Sequence, residues 1–256
     1  MGGESTTRTA PPSGGGNGPA GSRTGQRLSG LAVALGMVLF LGGFGWAAVV
    51  YRPYTVPTTS MTPTIGAGDR VLAERVDGDE IRRGDVVVFK DETWANAPVL
   101  KRVVAVGGDT VACCTDGRLT VDGKKIDEPY LPEGSLAEIT DFPTVTVPEG
   151  RLFLLGDERH GSLDSTAHLA DAASGTVSRD AVTARVDAVV WPMDGMLEPA
   201  TGFEKLGALS SPGPLRAMGA LIVAGALLVL GGAAYGPVAK RLGGRSRAGA
   251  EPAGAR

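Results

Sequence analysis

The sequence predicts a mainly β, antiparallel domain held between two membrane-crossing helices. Two uncharged apolar runs, Leu28–Tyr51 and Ala217–Ala239, lie towards its two ends. Between them come many short apolar runs punctuated by Gly, Pro and Asp-Gly, with little helical periodicity, the pattern of antiparallel strands. The charge is also unevenly spread. The net −3 divides into +2 over residues 1–30 and +4 over 236–256, leaving −9 between them. Basic ends around an acidic middle argue against nucleic acid as a partner and suit a protein with both ends in the cytoplasm.

Residues 1–28 are rich in Gly, Ser, Thr and Pro without apolar periodicity. Such a segment cannot bury enough surface to offset its conformational entropy, so a disordered cytoplasmic tail is expected. Residues 29–51 read as a transmembrane helix. Its core, Leu31–Val50, has about the 20 residues needed to cross a hydrocarbon slab of about 30 Å. A cleaved secretory signal would have a shorter apolar region and a small-x-small site after it, whereas this run ends Val49-Val50-Tyr51-Arg52. Trp46, Tyr51 and Tyr54 suit the far membrane interface.

Residues 52–208 form the expected extracytoplasmic β domain. Arg70–Val76, Asp85–Lys90, Val99–Val106, Arg151–Leu155 and Ala184–Trp191 read as strands, and Val121-Asp122-Gly123-Lys124 within Arg118–Ile126 is a hairpin signal. Asp164–Ala173 reads as a helical turn. Glu204–Pro214 is a polar linker. Residues 217–239, bounded by Arg216 and Lys240-Arg241, read as a second span rather than a buried core helix, and 240–256 as a basic cytoplasmic tail. Cys113 and Cys114 are adjacent. An external domain permits a disulfide, but bridging neighbours strains the intervening peptide, so two unbridged strand residues are expected.

Three regions carry groups that could do chemistry. The first, Thr55–Val71, holds Ser60 among Thr, Pro and Gly. Pro57 and Pro63 fix φ and push Val56 and Thr62 towards extended conformations, so a stiff extended loop is expected. Stiffness suits a nucleophile whose Oγ must stay in reach of a base, although most serines in such loops are solvated turn residues. The second is Pro98–Val106. On a strand, Val99, Lys101, Val103 and Ala105 share one face, and Leu100, Arg102, Val104 and Val106 the other. Lys101 among Val and Ala would lose solvation, which lowers its pKa and lets a neutral amine accept a hydroxyl proton. The competing reading is a lysine whose head snorkels to water. Arg102 cannot act as a base and reads as a carboxylate partner. The third region, Leu155–Ser165, is dense in short polar groups that could hydrogen-bond an amine or pair with a buried arginine. His160 and His168 make a Ser-His-Asp triad formally available, but both lie in polar sequence and surface positions are expected. No metal spacing or phosphate-binding loop stands out.

Taken in order, these regions resemble the bacterial type I signal peptidases, membrane-bound Ser/Lys endopeptidases of the secretion pathway. The resemblance rests on Ser60-Met61-Thr62-Pro63-Thr64 with Gly68-Asp69, on Arg83-Gly84-Asp85-Val86-Val87-Val88-Phe89, on Lys101-Arg102-Val103-Val104 with Gly108-Asp109, and on Gly156-Asp157-x-Arg159-x-x-Ser162-x-Asp164-Ser165. It covers roughly residues 30–192, and four ordered boxes are far more specific than one short motif. It implies Ser60 as nucleophile, Lys101 as general base and Ser162 as the hydroxyl that orients the lysine. It also implies Thr58 beside the Ser60 N–H in the oxyanion hole, and Asp157, Asp164 and Arg102 in support. No cofactor is implied. The implied partners are secretory preproteins, the lipid bilayer and a neighbouring secretion translocon. The implied location is a bacterial cell membrane, with the catalytic domain outside and both termini in the cytoplasm. Cleavage after small residues of Ala-x-Ala type is the implied specificity. Glu158 stands where asparagine is common, Thr166 replaces a usual arginine and so removes a salt bridge, and Ala105 and Gly107 replace a glycine and a proline. These departures are expected to loosen the supporting shell. A self-cleaving repressor relative is disfavoured because such proteins carry a DNA-binding domain and no spans. A non-enzymatic membrane-anchored module would tolerate loss of Ser60 or Lys101, and both are present.

Overall fold

The computed structural model describes residues 21–115, 117–132 and 141–245. Two units are distinct, Gly45–Met218 in one and the chain on either side of it in the other. The apolar lengths of helices α1 (Gly21–Val50) and α2 (Leu215–Arg245) are each long and apolar enough to cross a membrane. Within their unit they approach closely at small residues. A side chain on Gly36 would collide with the Gly225 carbonyl, one on Gly232 would meet Val33 and the Ser29 carbonyl, and Ser29 Oγ donates to the Gly232 carbonyl at 2.7 Å. Small residues that let backbones touch, with a polar group hydrogen-bonded across, are the usual means of helix pairing where water supplies no driving force.

The other unit is built from two antiparallel sheets. The first comprises β1 (Tyr51–Thr55), β2 (Arg70–Glu74), β3 (Val86–Asp91), β4 (Ala95–Val106), β9 (Arg151–Leu155), β10 (Val177–Ser178), β11 (Val182–Trp191) and β12 (Gly195–Met196). Its order is β1-β2-β11-β3-β4-β9-β10, with β12 beside β11. The second comprises β5 (Thr110–Thr115), β6 (Arg118–Val121), β7 (Lys124–Lys125) and β8 (Phe142–Thr146), in the order β7-β6-β5-β8. β6 and β7 form the hairpin that Asp122-Gly123 signals. Both turn residues take positive φ, 50° and 70°, which a two-residue turn matched to strand twist requires.

One apolar cluster joins the second sheet to β4 and β9 through Val111, Leu119, Phe142, Val104 and Phe153. Another packs Met61 and Ile65 against Val71, Val86 and Val186. A third holds Val87, Phe89, Val103, Leu152 and Leu154. Full burial of Met61 and Ile65 explains one departure from expectation. The chain around Ser60 is not an extended loop but a compact turn, closed by Thr62 N–H to Thr59 O and Ile65 N–H to Met61 O. Two large apolar side chains four residues apart gain more by curling into the core than by lying extended on the surface.

Tyr51 also departs from its expected place at a membrane interface. It is buried at the start of β1, and its hydroxyl donates to Asp187 at 2.6 Å. The expected polar linker is likewise seated on the domain. Ser210 Oγ donates to Asp85 at 2.7 Å, Arg185 to the Ser211 carbonyl at 3.1 Å, and the Gly213 N–H to Asp187 at 3.0 Å. The expected helical turn is a short 3-10 helix, Ser165–His168. Cys113 and Cys114, expected to be unbridged, are joined as a vicinal disulfide.

Candidate active site

Register brings the site together. β9 pairs with β4 so that Leu155 lies opposite Arg102. The chain leaving β9 therefore delivers Gly156 and Asp157 beside Lys101 and Arg102. The Ser60 turn docks on the same segment, where the Glu158 N–H donates to the Ser60 carbonyl at 3.1 Å. Gly156 is required by this approach. A Cβ there would lie 2.2 Å from Ser162 Oγ and 2.5 Å from the Ser60 carbonyl oxygen.

Ser60, Thr58 and Lys101 line one cavity of about 790 Å³. The Thr58 and Ser60 hydroxyls are 3.3 Å apart. Lys101 is 3% exposed, so it does not snorkel its head to bulk water. Burial lowers the pKa of its amine, against the opposing pull of Asp164, Asp157 and Glu158. A desolvated amine held towards its neutral form in a cavity shared with an accessible hydroxyl is suited to take that hydroxyl's proton.

Across β4, Arg102 is equally buried but fully engaged. Its Nε and Nη2 donate to the two Asp157 oxygens at 2.8 and 2.6 Å, and its Nη1 donates to the Gly84 carbonyl at 2.9 Å. Thr64 Oγ1 adds a third hydrogen bond to Asp157 at 2.5 Å. The guanidinium lies over the Tyr130 ring, 3.9 Å from its centroid. Burial opposes the Arg102 charge, but the Asp157 carboxylate outweighs it and holds the guanidinium above its ordinary value. Tyr130 in turn donates to Glu128 at 2.5 Å, and Glu128 accepts a two-pronged pair from Arg159 at 2.5 and 3.0 Å. Arg159 also donates to the Gly156 carbonyl at 2.8 Å. Glu128 and Tyr130 were not legible as site residues. They lie in a stretch without periodicity, 31 residues from Arg159 in the case of Glu128, and only the folded chain joins them.

The remaining residues take varied positions. Asp164 is buried and accepts from the Gly156 N–H at 3.0 Å and from the Thr166 N–H and hydroxyl at 3.1 and 2.8 Å. No ion pair to Asp164 is present among the described residues, and the Thr166 N–H and hydroxyl supply hydrogen bonds to that carboxylate. Glu158 similarly accepts the Gly161 N–H. Ser162 Oγ is buried without a hydrogen-bond partner, so the bond to Lys101 that the resemblance implies is not made here. His168, expected at the surface, is half-buried and lines the same cavity, stacked on Trp94. Among the described residues, the group with metal-ligand spacing is Cys113, Cys114 and Asp141. Its sulfurs are bonded to each other, so neither is available as a thiolate.

The same region of the chain is similar to known proteins. Residues 28–191 match the family described as "Signal peptidase, peptidase S26". A "Probable signal peptidase I" of Mycobacterium leprae is 34% identical over 200 residues, covering 56% of this chain and 69% of that protein. A "Signal peptidase I" of Mycobacterium tuberculosis is 33% identical over 193 residues, covering 56% and 66%. One of Bacillus licheniformis is 39% identical over 127 residues, covering 46% and 67%. The chain thus spans about two thirds of the length of these relatives. With this family matched over residues 28–191, well over half of its length, the chain belongs to the signal peptidase family, peptidase S26.

Proposed function

We propose that this protein is a membrane-anchored serine endopeptidase that removes signal peptides from secretory preproteins, using Ser60 and Lys101. The observation that carries the proposal is the burial of Lys101, which lowers its pKa, in the cavity that Ser60 lines. Neutral Lys101 takes the Ser60 proton as Oγ attacks the scissile carbonyl. The Ser60 N–H and the Thr58 hydroxyl stabilise the oxyanion, each donor typically contributing about 3 kcal/mol. The lysine ammonium then protonates the leaving amine. Neutral again, Lys101 takes a proton from water as its oxygen attacks the acyl-enzyme carbonyl, and returns that proton to Ser60 Oγ as the ester bond breaks. Asp157 and Arg102 hold the loop after β9, and Asp164 braces Gly156.

The membrane explains the substrate. Ser60 lies ten residues after Val50, the last residue of α1, a reach of at most about 35 Å. A serine tethered that close to a bilayer suits a substrate whose apolar segment is itself in the bilayer. Small residues before the cut, of Ala-x-Ala type, are the specificity we assign. The basic flanks support a topology with both termini in the cytoplasm and the β domain outside, near the secretion translocon.

The test is cleavage of a preprotein by detergent-solubilised protein. Ser60→Ala and Lys101→Ala should each lower the rate at least about 10³-fold with an unchanged circular dichroism spectrum. Lys101→Arg should be as inactive, because a guanidinium stays protonated. Cleavage by the arginine variant at near wild-type rate would remove Lys101 as base and leave His168, on the same cavity, as the group to test.

A further inference from the structure

The cavity is larger than the proposed chemistry needs. Two methyl-sized side chains occupy little of about 790 Å³, a volume in the range that holds a multi-residue or drug-sized ligand. Its direction can be read from the sheet. Four antiparallel pairings separate β1 from β4, so the two strands run the same way. The lining runs through Tyr54–Ser60 on one side and through Trp94 and Ala97–Lys101 on the other, so the cavity extends back from the reacting residues along the chain that precedes each. From Lys101 back to Ala97 is roughly 13 Å at about 3.3 Å per residue, and the Trp94 ring beyond it packs on Phe89, which lies opposite Val99, so there is room for four or five extended substrate residues on one side of the cut.

At that far end stands an aromatic platform. His168 lies flat against Trp94, with ring centroids 4.6 Å apart and planes 11° from parallel. Trp94 is braced edge-on by buried Phe89 at 5.2 Å. His168 Nδ1 is bonded to the Asp171 carboxylate at 2.8 Å, which fixes the ring's orientation. The loop that carries His168 is itself anchored, because Ser165 Oγ accepts the Leu154 N–H at 2.8 Å and Asp164 caps the turn. A histidine serving only as a solvated surface group would have no need of a fixed ring, a stacked indole and a rigid base.

We propose that Trp94 and His168 form a specificity subsite for a bulky, flat apolar side chain of the substrate, about four or five residues before the scissile bond. Aromatic faces favour such a partner by stacking beyond simple area burial. The occupant is the part of the signal peptide that continues upstream from the reacting pair. This rests on the peptidase reading above, and the experiment separates the two.

Peptide substrates are compared that differ only by Phe or Gly at each of the fourth to seventh positions before the cut. The expected result is about a tenfold higher kcat/KM for Phe at the fourth or fifth position, carried by KM. His168→Ala and Trp94→Ala should reduce that preference to within about twofold, while His168→Phe, which keeps a flat ring, should retain it. If Trp94→Ala unfolds, His168→Ala decides alone, since its partly exposed ring lies at the end of a short 3-10 helix. Equal loss on Phe and Gly peptides, or no preference at any position, overturns the subsite while leaving the peptidase intact. Binding of the same peptides to Ser60→Ala, followed by Trp fluorescence, reads the subsite without cleavage. A Phe preference there, with no cleavage by the unaltered protein, would keep the subsite and overturn the peptidase.

Discussion

Lys101 and Arg102 are neighbours on one strand, each 3% exposed, and they point to opposite faces of β4. On the Arg102 face, burial is answered by two hydrogen bonds to Asp157, one to a carbonyl and an aromatic ring beneath the guanidinium. On the Lys101 face, burial dominates and the nearby carboxylates only moderate it. The same desolvation therefore yields a fixed charge on one side and a group able to give up its charge on the other. What separates structure from chemistry on this strand is the pairing of the cation. Burial is common to both.

The largest expected effect comes from breaking the paired face. Asp157→Ala strands the Arg102 charge in the interior, and removal of one partner of a buried pair typically costs about 3–5 kcal/mol. For a unit of this size that lowers Tm by roughly 10 °C, readable by calorimetry. Replacing both groups at once, with Arg102→Met and Asp157→Leu, should recover much of that loss, because no charge is left uncompensated. A melting temperature within two degrees of wild type for Asp157→Ala alone would mean that the pair is not the anchor of this face.

The unpaired face should respond in the opposite sense. The folded pKa of Lys101 lies below its unfolded value, so the unfolded chain binds the extra proton between the two. Stability rises with pH through that window. It is complete above the ordinary lysine value of about 10.4, and falls as the pH drops to the folded pKa. Lys101→Met removes this slope. It should melt higher than wild type at pH 6, by about 1.4 kcal/mol for each unit of depression, and the difference should close as the pH approaches 10. The rate of cleavage by the wild type should rise with pH through the folded pKa, at the lower edge of that window, and level off above it, as the amine loses its proton. A stability gap independent of pH would place Lys101 in a solvated or paired state after all.

This contrast was half legible beforehand. Alternation along Val99–Val106 put the two basic residues on opposite apolar faces, and the identity of the side chains assigned one to proton transfer and one to pairing. The bulge between Val103 and Ala105 was not legible. It moves Ala105 out of the expected row and into the cluster with Val104. Nor were Glu128 and Tyr130, whose roles come from contacts between distant segments. Around Ser60 the prolines suggested extension, whereas the apolar spacing of Met61 and Ile65, also in plain view, decided the turn. Thr166 removes the salt bridge an arginine would make, yet its short hydroxyl reaches Asp164 directly. Short polar residues can replace a long cation in satisfying a buried carboxylate, and a motif comparison cannot weigh that.

The smallest effect on stability is expected at Ser162, and it sharpens the contrast most. Its Oγ is the one buried side-chain oxygen among the described residues left without a hydrogen bond, beside Gly156 and the Ser60 carbonyl. Leaving such a hydroxyl unmade typically costs about 1–3 kcal/mol, so Ser162→Ala should be neutral or stabilising by up to about 1 kcal/mol. If the hydroxyl instead waits for the lysine amine, and bonds it once substrate has entered, the same variant should lose about 10- to 100-fold in kcat with little change in KM. A stabler protein with a slower reaction is the outcome a group kept for chemistry produces. A side chain retained for packing alone would leave the rate untouched, and full activity in Ser162→Ala would place this serine outside the lysine's working partners.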